Sequence, residues 1–159
     1  MAIEIERKFL VVDDSWQHKN LNGIHYMQGY LVETGNTLVR VRTAGDKGFL
    51  AVKARKTGLS RFEYEYEIPF IDAGEMLTKL CQKPLINKTR YEISYEGHRW
   101  EIDVFYGLNA GLVVAEIELG AEDESFTKPP WAGAEVTNDP RYLNVNLAVH
   151  PFRSWPRSD

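Results

Sequence analysis

The feature that most constrains this chain is a strict two-residue alternation of apolar and charged side chains, in short runs whose charges are mostly of one sign. Glu4, Glu6 and Lys8 alternate with Ile3, Ile5 and Phe9. Arg40 and Arg42 alternate with Val39 and Val41, and Lys53 and Arg55 lie opposite Leu50 and Val52. Glu63, Glu65 and Glu67 alternate with Phe62, Tyr64 and Tyr66, and Lys88, Arg90 and Glu92 lie opposite Tyr91 and Ile93. Glu101 and Asp103 alternate with Trp100, Ile102 and Val104, and Glu116 and Glu118 with Ile117 and Leu119. A period of two is the signature of a β-strand, because successive side chains point to opposite faces.

The alternation predicts strands over Ile3–Val11, Ile24–Val32, Thr37–Thr43, Gly48–Arg55, Ser60–Phe70, Asn87–Tyr95, His98–Phe105 and Leu112–Leu119. Ala44-Gly45-Asp46-Lys47-Gly48 and Glu96-Gly97 read as hairpin turns, and Lys56–Leu59 as a loop. Helices are few. Asp72 followed by Glu75 reads as a helix N-cap with its capping-box partner, Met76, Leu77, Leu80 and Cys81 as the apolar face, and Pro84 as the stop. Asp139-Pro140 reads as a second start, with Leu143, Leu147 and Ala148 buried. Asp14–Lys19 and Glu122–Phe126 read as short helical turns. At 159 residues the chain fits one domain, 1–159, mainly β, a barrel or sandwich with a few added helices.

A charged sheet face is ordinarily a solvated one. Sorting by sign argues for more than solvation here, because like charges on neighbouring positions repel unless a counter-ion neutralises them. A polyanionic ligand would satisfy the basic segments and divalent cations the acidic ones. Phosphate suits Arg and Lys, and Mg²⁺ bridges carboxylates to phosphate oxygens. The net charge of -4 offers nothing global to nucleic acid or an anionic membrane. No Gly-x-x-x-x-Gly-Lys loop is present, so a P-loop is not the route. His18, His25, His98 and His150 form no ligand pair for zinc. The one cysteine, Cys81, lies on the apolar helix face and reads as packing rather than nucleophile. It cannot form an internal disulfide, and with acids from Glu4 onward in place of a signal pattern the expected compartment is the reducing cytoplasm.

The run Glu4-x-Glu6-x-Lys8 near the N-terminus resembles the signature of the CYTH superfamily, the triphosphate tunnel metalloenzymes. Arg40-Val-Arg42, Lys53, Glu63-Tyr-Glu65, Lys88-Thr-Arg90, Glu101-Ile-Asp103, Glu116-Ile-Glu118 and the segment Arg141–Ala148 follow in matching order, so the likeness covers nearly the whole chain. It implies an eight-stranded antiparallel barrel forming a tunnel, charged faces inward, with helices packed outside. It implies Glu4, Glu6, Asp103, Glu116 and Glu118 as metal ligands, for Mg²⁺ or Mn²⁺ and two ions. Lys8, Arg40, Arg42, Lys53, Lys88 and Arg90 would hold a triphosphate, with Tyr30, Glu63 and Glu65 beside it. Glu4, Glu6, Lys8 and Glu118 would carry catalysis, either a Glu or Lys8 assisting proton removal. Arg55, Glu67, Glu92 and Glu101 match less well.

The short bacterial members most resembled are inorganic tripolyphosphatases, cleaving tripolyphosphate to pyrophosphate and phosphate. Class IV type adenylyl cyclase and thiamine triphosphatase use the same tunnel. Tyr26, Tyr30, Phe49, Trp131 and Trp155 could stack on a ring, though packing is the simpler role for each. A non-enzymatic polyphosphate or nucleotide sensor would keep the bases and lose the acids, and this chain has both. The apolar outer faces leave room for a homodimer.

Overall fold

The computed structural model describes residues 3–156, so the expected domain of 1–159 extends past the described residues at both ends. Nine strands form one sheet: β1 (Ile3–Val11), β2 (Ile24–Glu33), β3 (Thr37–Ala44), β4 (Lys47–Arg55), β5 (Ser60–Ile68), β6 (Ile86–Tyr95), β7 (His98–Phe105), β8 (Val113–Glu118) and β9 (Ala132–Glu135). The order is β5-β4-β3-β2-β6-β7-β8-β1-β9, every pairing is antiparallel, and β5 returns to β1 to close an eight-stranded barrel. The two sequence-marked hairpins sit where expected. Glu96 and Gly97 both take positive φ, 47° and 80°, the left-handed pair that matches strand twist.

The edge of β1 away from β8 is shared between two partners. Ile3–Ile5 pair with β5, whereas Phe9 and Val11 pair with β9. Between them the seam is open, and Lys8 N–H donates to the Thr137 hydroxyl at 3.0 Å instead of to a strand. β9 is a strand that the alternation does not announce, since Ala-Gly-Ala-Glu carries no apolar period.

Several sequence expectations need correction. β5 ends at Ile68, and Phe70 opens helix α1 (Phe70–Lys79). The N-cap position belongs to Pro69, and Asp72 lies within the first turn, where its charge still favours the helix dipole. The helix ends before Leu80, which is 64% exposed, rather than running to Pro84. Asp139 does accept a backbone hydrogen bond from Arg141, but it starts only a 3-10 turn (Pro140–Tyr142), followed by helix α2 (Asn144–Val149). Asp14–Lys19 holds one hydrogen-bonded turn, Gln17 N–H to the Asp14 carbonyl, and the turn at Glu122–Phe126 begins one residue earlier, with Glu124 N–H donating to the Ala121 carbonyl. No helix is long and apolar enough to cross a membrane among the described residues.

Three apolar clusters follow from the inverted polarity. On the outside, Trp100, Ile117 and Phe9 pack under the segment that carries Trp131, the two tryptophans edge-to-face at 5.6 Å. Also outside, α1 lays Ala73 and Leu77 on Val41 of β3, with Cys81 just past the helix end in the same cluster. Gly48 permits this approach, because a Cβ there would meet Ala73 at 2.7 Å. The third cluster closes one end of the barrel. Tyr30, Ile86, Phe105 and Val114, which share register faces with Arg40, Gln28, Lys88 and Asp103, join Tyr142, Leu147 and Ala148. Helix α2 is thus a plug across the barrel end rather than an element packed on its outer wall.

Candidate active site

Closure of the barrel turns the charged faces inward around a cavity of about 250 Å³. Glu4 and Glu6 reach it from β1, Arg40 and Arg42 from β3, Lys53 from β4, Glu63 and Glu65 from β5. Lys88 and Arg90 come from β6, Glu101 from β7, and Glu116 and Glu118 from β8. The register makes this convergence possible: Glu6 is opposite Glu118, Lys8 opposite Glu116, and Arg90 opposite Asp103.

The basic residues currently hold the acidic ones. Arg40 Nη2 donates to Glu65 Oε2 at 2.8 Å, and Arg42 reaches the same oxygen at 3.1 Å. Lys53 lies between Glu4 at 3.2 Å and Glu63 at 3.1 Å. Asp103 is fully buried and spends both oxygens on cations. Arg90 grips it through two bonds of 2.7 and 2.9 Å, and Lys88 Nζ donates at 2.8 Å. Against the penalty of burial, Arg90 and Lys88 keep the Asp103 carboxyl far below the usual carboxylate range. Burial pushes Lys88 down to about 8, although Asp103 pulls the other way. Glu116 is held at about 2 despite burial, by Lys8 and Arg90.

Glu6 and Glu118 make no ion pair among the described residues. Burial, then Glu116 and Glu4, raise Glu6 to about 8. Burial, then Glu4 and Glu101, raise Glu118 as well. Carboxylates so placed ask for a cation, and their hard oxygen donors suit a divalent ion such as Mg²⁺ or Mn²⁺. In the present rotamers no three His, Cys, Asp or Glu groups converge on one point among the described residues, because Glu4 and Glu116 are turned to lysines and an arginine.

The remaining expectations sort cleanly. Lys8 is buried at the plugged end, donating to the Tyr142 carbonyl at 3.1 Å with Glu116 at 3.5 Å. Tyr30 lines a passage of about 40 Å³ next to Lys8 and Arg40 rather than the main cavity, and its hydroxyl accepts from Gln28 at 3.1 Å. Glu101 faces the cavity and pairs with Arg90, Glu92 pairs only with exposed Arg99, and Glu67 is exposed. Trp131 and Trp155 are packing residues. His25 and His98 are hydrogen-bonded to Asn87 and Glu124, away from any ligand cluster. Burial pushes the Cys81 thiol up, which suits a packed side chain and not a nucleophile.

Three tunnel residues carry no alternating-charge signal. Asn144, at the start of α2, accepts from Lys88 at 3.2 Å. Gln28 lies almost wholly buried in the cavity wall with its Oε1 unpartnered. The Tyr26 ring has the Arg42 and Arg90 guanidiniums at 4.9 and 5.1 Å from its centre. Polar, uncharged residues on an otherwise charged face were the available hint.

Comparison with known proteins gives a consistent picture. A family model described as the CYTH domain matches residues 2–150. An inorganic triphosphatase of Acetivibrio thermocellus is 52% identical over 156 residues, covering 98% of this chain and 99% of the relative. An inorganic triphosphatase of Nitrosomonas europaea is 39% identical over 150 residues, covering 92% and 97%. The crystal structure of the inorganic triphosphatase NE1496 superposes with a TM-score of 0.67 at 37% identity, over 92% of this chain and 94% of that one.

Proposed function

This chain belongs to the CYTH family, and on that premise we propose that it is a metal-dependent hydrolase of linear triphosphates, cleaving inorganic tripolyphosphate to pyrophosphate and orthophosphate. Two relatives that span nearly the whole chain are named for that activity. The observation that carries the reading is the tunnel's charge arrangement: a basic wall able to release its carboxylates, facing acids with no cationic partner of their own.

A triphosphate entering the cavity would take the place of Glu63 and Glu65 on Arg40, Arg42 and Lys53, since phosphate oxygens match guanidinium forks at least as well as carboxylates do. Arg90 and Lys88 would address the same chain from β6. Their grip on Asp103 fixes their direction beforehand, so less ordering remains to be done on binding. These cations would stabilise the charge that develops on the transferring and leaving phosphate oxygens. Glu4, Glu6, Glu116 and Glu118 would hold the metal. Asp103, expected among the ligands, has both oxygens engaged and is assigned instead to orienting Lys88 and Arg90. Bound there, one or two Mg²⁺ or Mn²⁺ ions supply charge neutralisation and an acidified water.

Water would attack a terminal phosphorus in line with the leaving pyrophosphate, forming one P–O bond as the bridging one breaks and passing its proton to a tunnel glutamate or Lys8. The substrate is a small molecule, with neither nucleic acid nor membrane involved, and the free Cys81 fits a cytoplasmic setting. A homodimer would use the uncovered outer face of β5, where Phe62, Tyr64 and Tyr66 are 36%, 47% and 62% exposed.

The test is phosphate release from tripolyphosphate, ATP and thiamine triphosphate with Mg²⁺, Mn²⁺ and chelator. Fast metal-dependent cleavage of tripolyphosphate is expected. Cyclic nucleotide and pyrophosphate from ATP would reassign the chain as a cyclase, and tight binding without turnover as a sensor.

A further inference from the structure

The open seam beside β1 leads to a second cavity, outside the tunnel and larger than it. It measures about 380 Å³ and lies at the plugged end, between the Lys56–Leu59 loop and Thr137–Asn138. Arg55, Lys56 and Arg61 line it. Arg55 and Arg61 are direct cross-strand partners on β4 and β5. Like charges facing each other in a sheet repel. Neither arginine is ion-paired among the described residues, and Glu4, the β1 residue opposite Arg61, is turned away to Lys53. Every arginine or lysine that lines the tunnel cavity has a carboxylate within 4 Å, that of Arg99 being Glu92 outside it. The Arg55–Arg61 pair thus sets two positive charges side by side with no carboxylate to compensate them among the described residues.

A narrow space of about 40 Å³ at Lys8, Lys53 and Arg61 lies between this vestibule and the tunnel, and Glu6 borders both. Glu6 is the one carboxylate on the vestibule's border, at the inner edge.

We propose that Arg55 and Arg61, with Lys56, form a second oxyanion site that binds orthophosphate separately from the triphosphate tunnel. Two guanidinium forks side by side offer paired N–H donors to one tetrahedral ion, and the ion removes their repulsion. Orthophosphate is a product under the triphosphatase reading, but the site rests on the unpaired arginines and stands without that reading.

The experiment uses the full chain freed of metal by chelator, with inorganic phosphate as the probe, followed by thermal melting and by ³¹P line broadening. No turnover is needed, so a failed triphosphatase reading leaves the result intact. Wild type should gain melting temperature with phosphate. The Arg55→Gln/Arg61→Gln double variant should melt no lower than wild type without phosphate, because repulsion is relieved, and should bind phosphate at least tenfold more weakly. Arg40→Gln, in the tunnel, should keep the phosphate effect. The proposal is overturned if the double variant binds phosphate like wild type, or if Arg40→Gln alone abolishes binding. It is also overturned if tripolyphosphate affinity falls in the double variant by the same factor as phosphate affinity, since the vestibule would then hold an end of the substrate.

Discussion

Glu6 on β1 and Glu118 on β8 stand directly opposite each other inside the barrel, and neither carboxylate has an ion-pair partner among the described residues. Two acids so placed hold protons more tightly than usual, Glu6 up to about 8. A cation that enters must displace what they hold.

Metal uptake at pH 7 should therefore release a proton. Calorimetric titration of Mg²⁺ in two buffers of different ionisation heat measures it directly, and Glu6→Gln should remove most of the difference. The metal-free protein should show the matching stability trend. An acid whose folded pKa is raised binds a proton in the folded state that the unfolded chain has already lost. Stability from Glu6 is thus full below about pH 4.5 and declines as pH rises to about 8. Heats that do not depend on buffer would contradict the proposed metal position.

Glu4→Ala and Glu118→Ala should each lower metal-dependent turnover by about 100-fold or more, the scale on which a lost charge-stabilising group acts in an active site. The variants should still fold, since Glu118 is exposed with no ion pair among the described residues and Lys53, which Glu4 holds, keeps Glu63. Steady-state phosphate release checks the rate and circular dichroism the fold. Full activity in both variants is incompatible with the assignment.

Asp103→Asn should cost about 3 kcal/mol of stability in urea, because Lys88 and Arg90 would be left as buried cations without their shared anion. Adding Lys88→Met should recover part of that loss. Additive losses in the double variant would show that the Lys88–Asp103 pair is not coupled.

Tyr26→Ala should raise KM for the substrate several-fold with a smaller change in kcat, as Arg42 and Arg90 lose the ring against which they are stacked, worth about 1 kcal/mol. Tyr26→Phe keeps the ring and should behave as wild type. An equal effect of both variants would point to the hydroxyl instead.

Much of this molecule is legible in the chain itself. The strand positions agree with the alternation to within one residue, except at the Phe70 end of β5, because period two is a local property of each strand. The sorted charges identify the tunnel residues for the same reason. β9 carries no readable period, being three small residues and a glutamate, and its strand character comes from its pairing to β1. Asn144 and Gln28 escaped because an uncharged polar residue resembles any surface position until its neighbours are known. The Asp72 cap failed because Pro69 and Phe70 already begin the helix, and a local capping pattern cannot compete with where the preceding strand ends.

Alone, the sequence determined which residues share a face: Arg40 with Arg42, Glu63 with Glu65, Glu116 with Glu118. Which face becomes the inside was a tertiary decision. The return of β5 to Ile3–Ile5 of β1 closes the sheet, and closure places every charged face on the concave side at once. The β1–β8 pairing sets Glu6 against Glu118 from opposite ends of the chain, whereas Arg55 meets Arg61 across the short β4–β5 connection. Backbone hydrogen bonds fix those registers, and only then do the charges meet closely enough to need a metal or an anion.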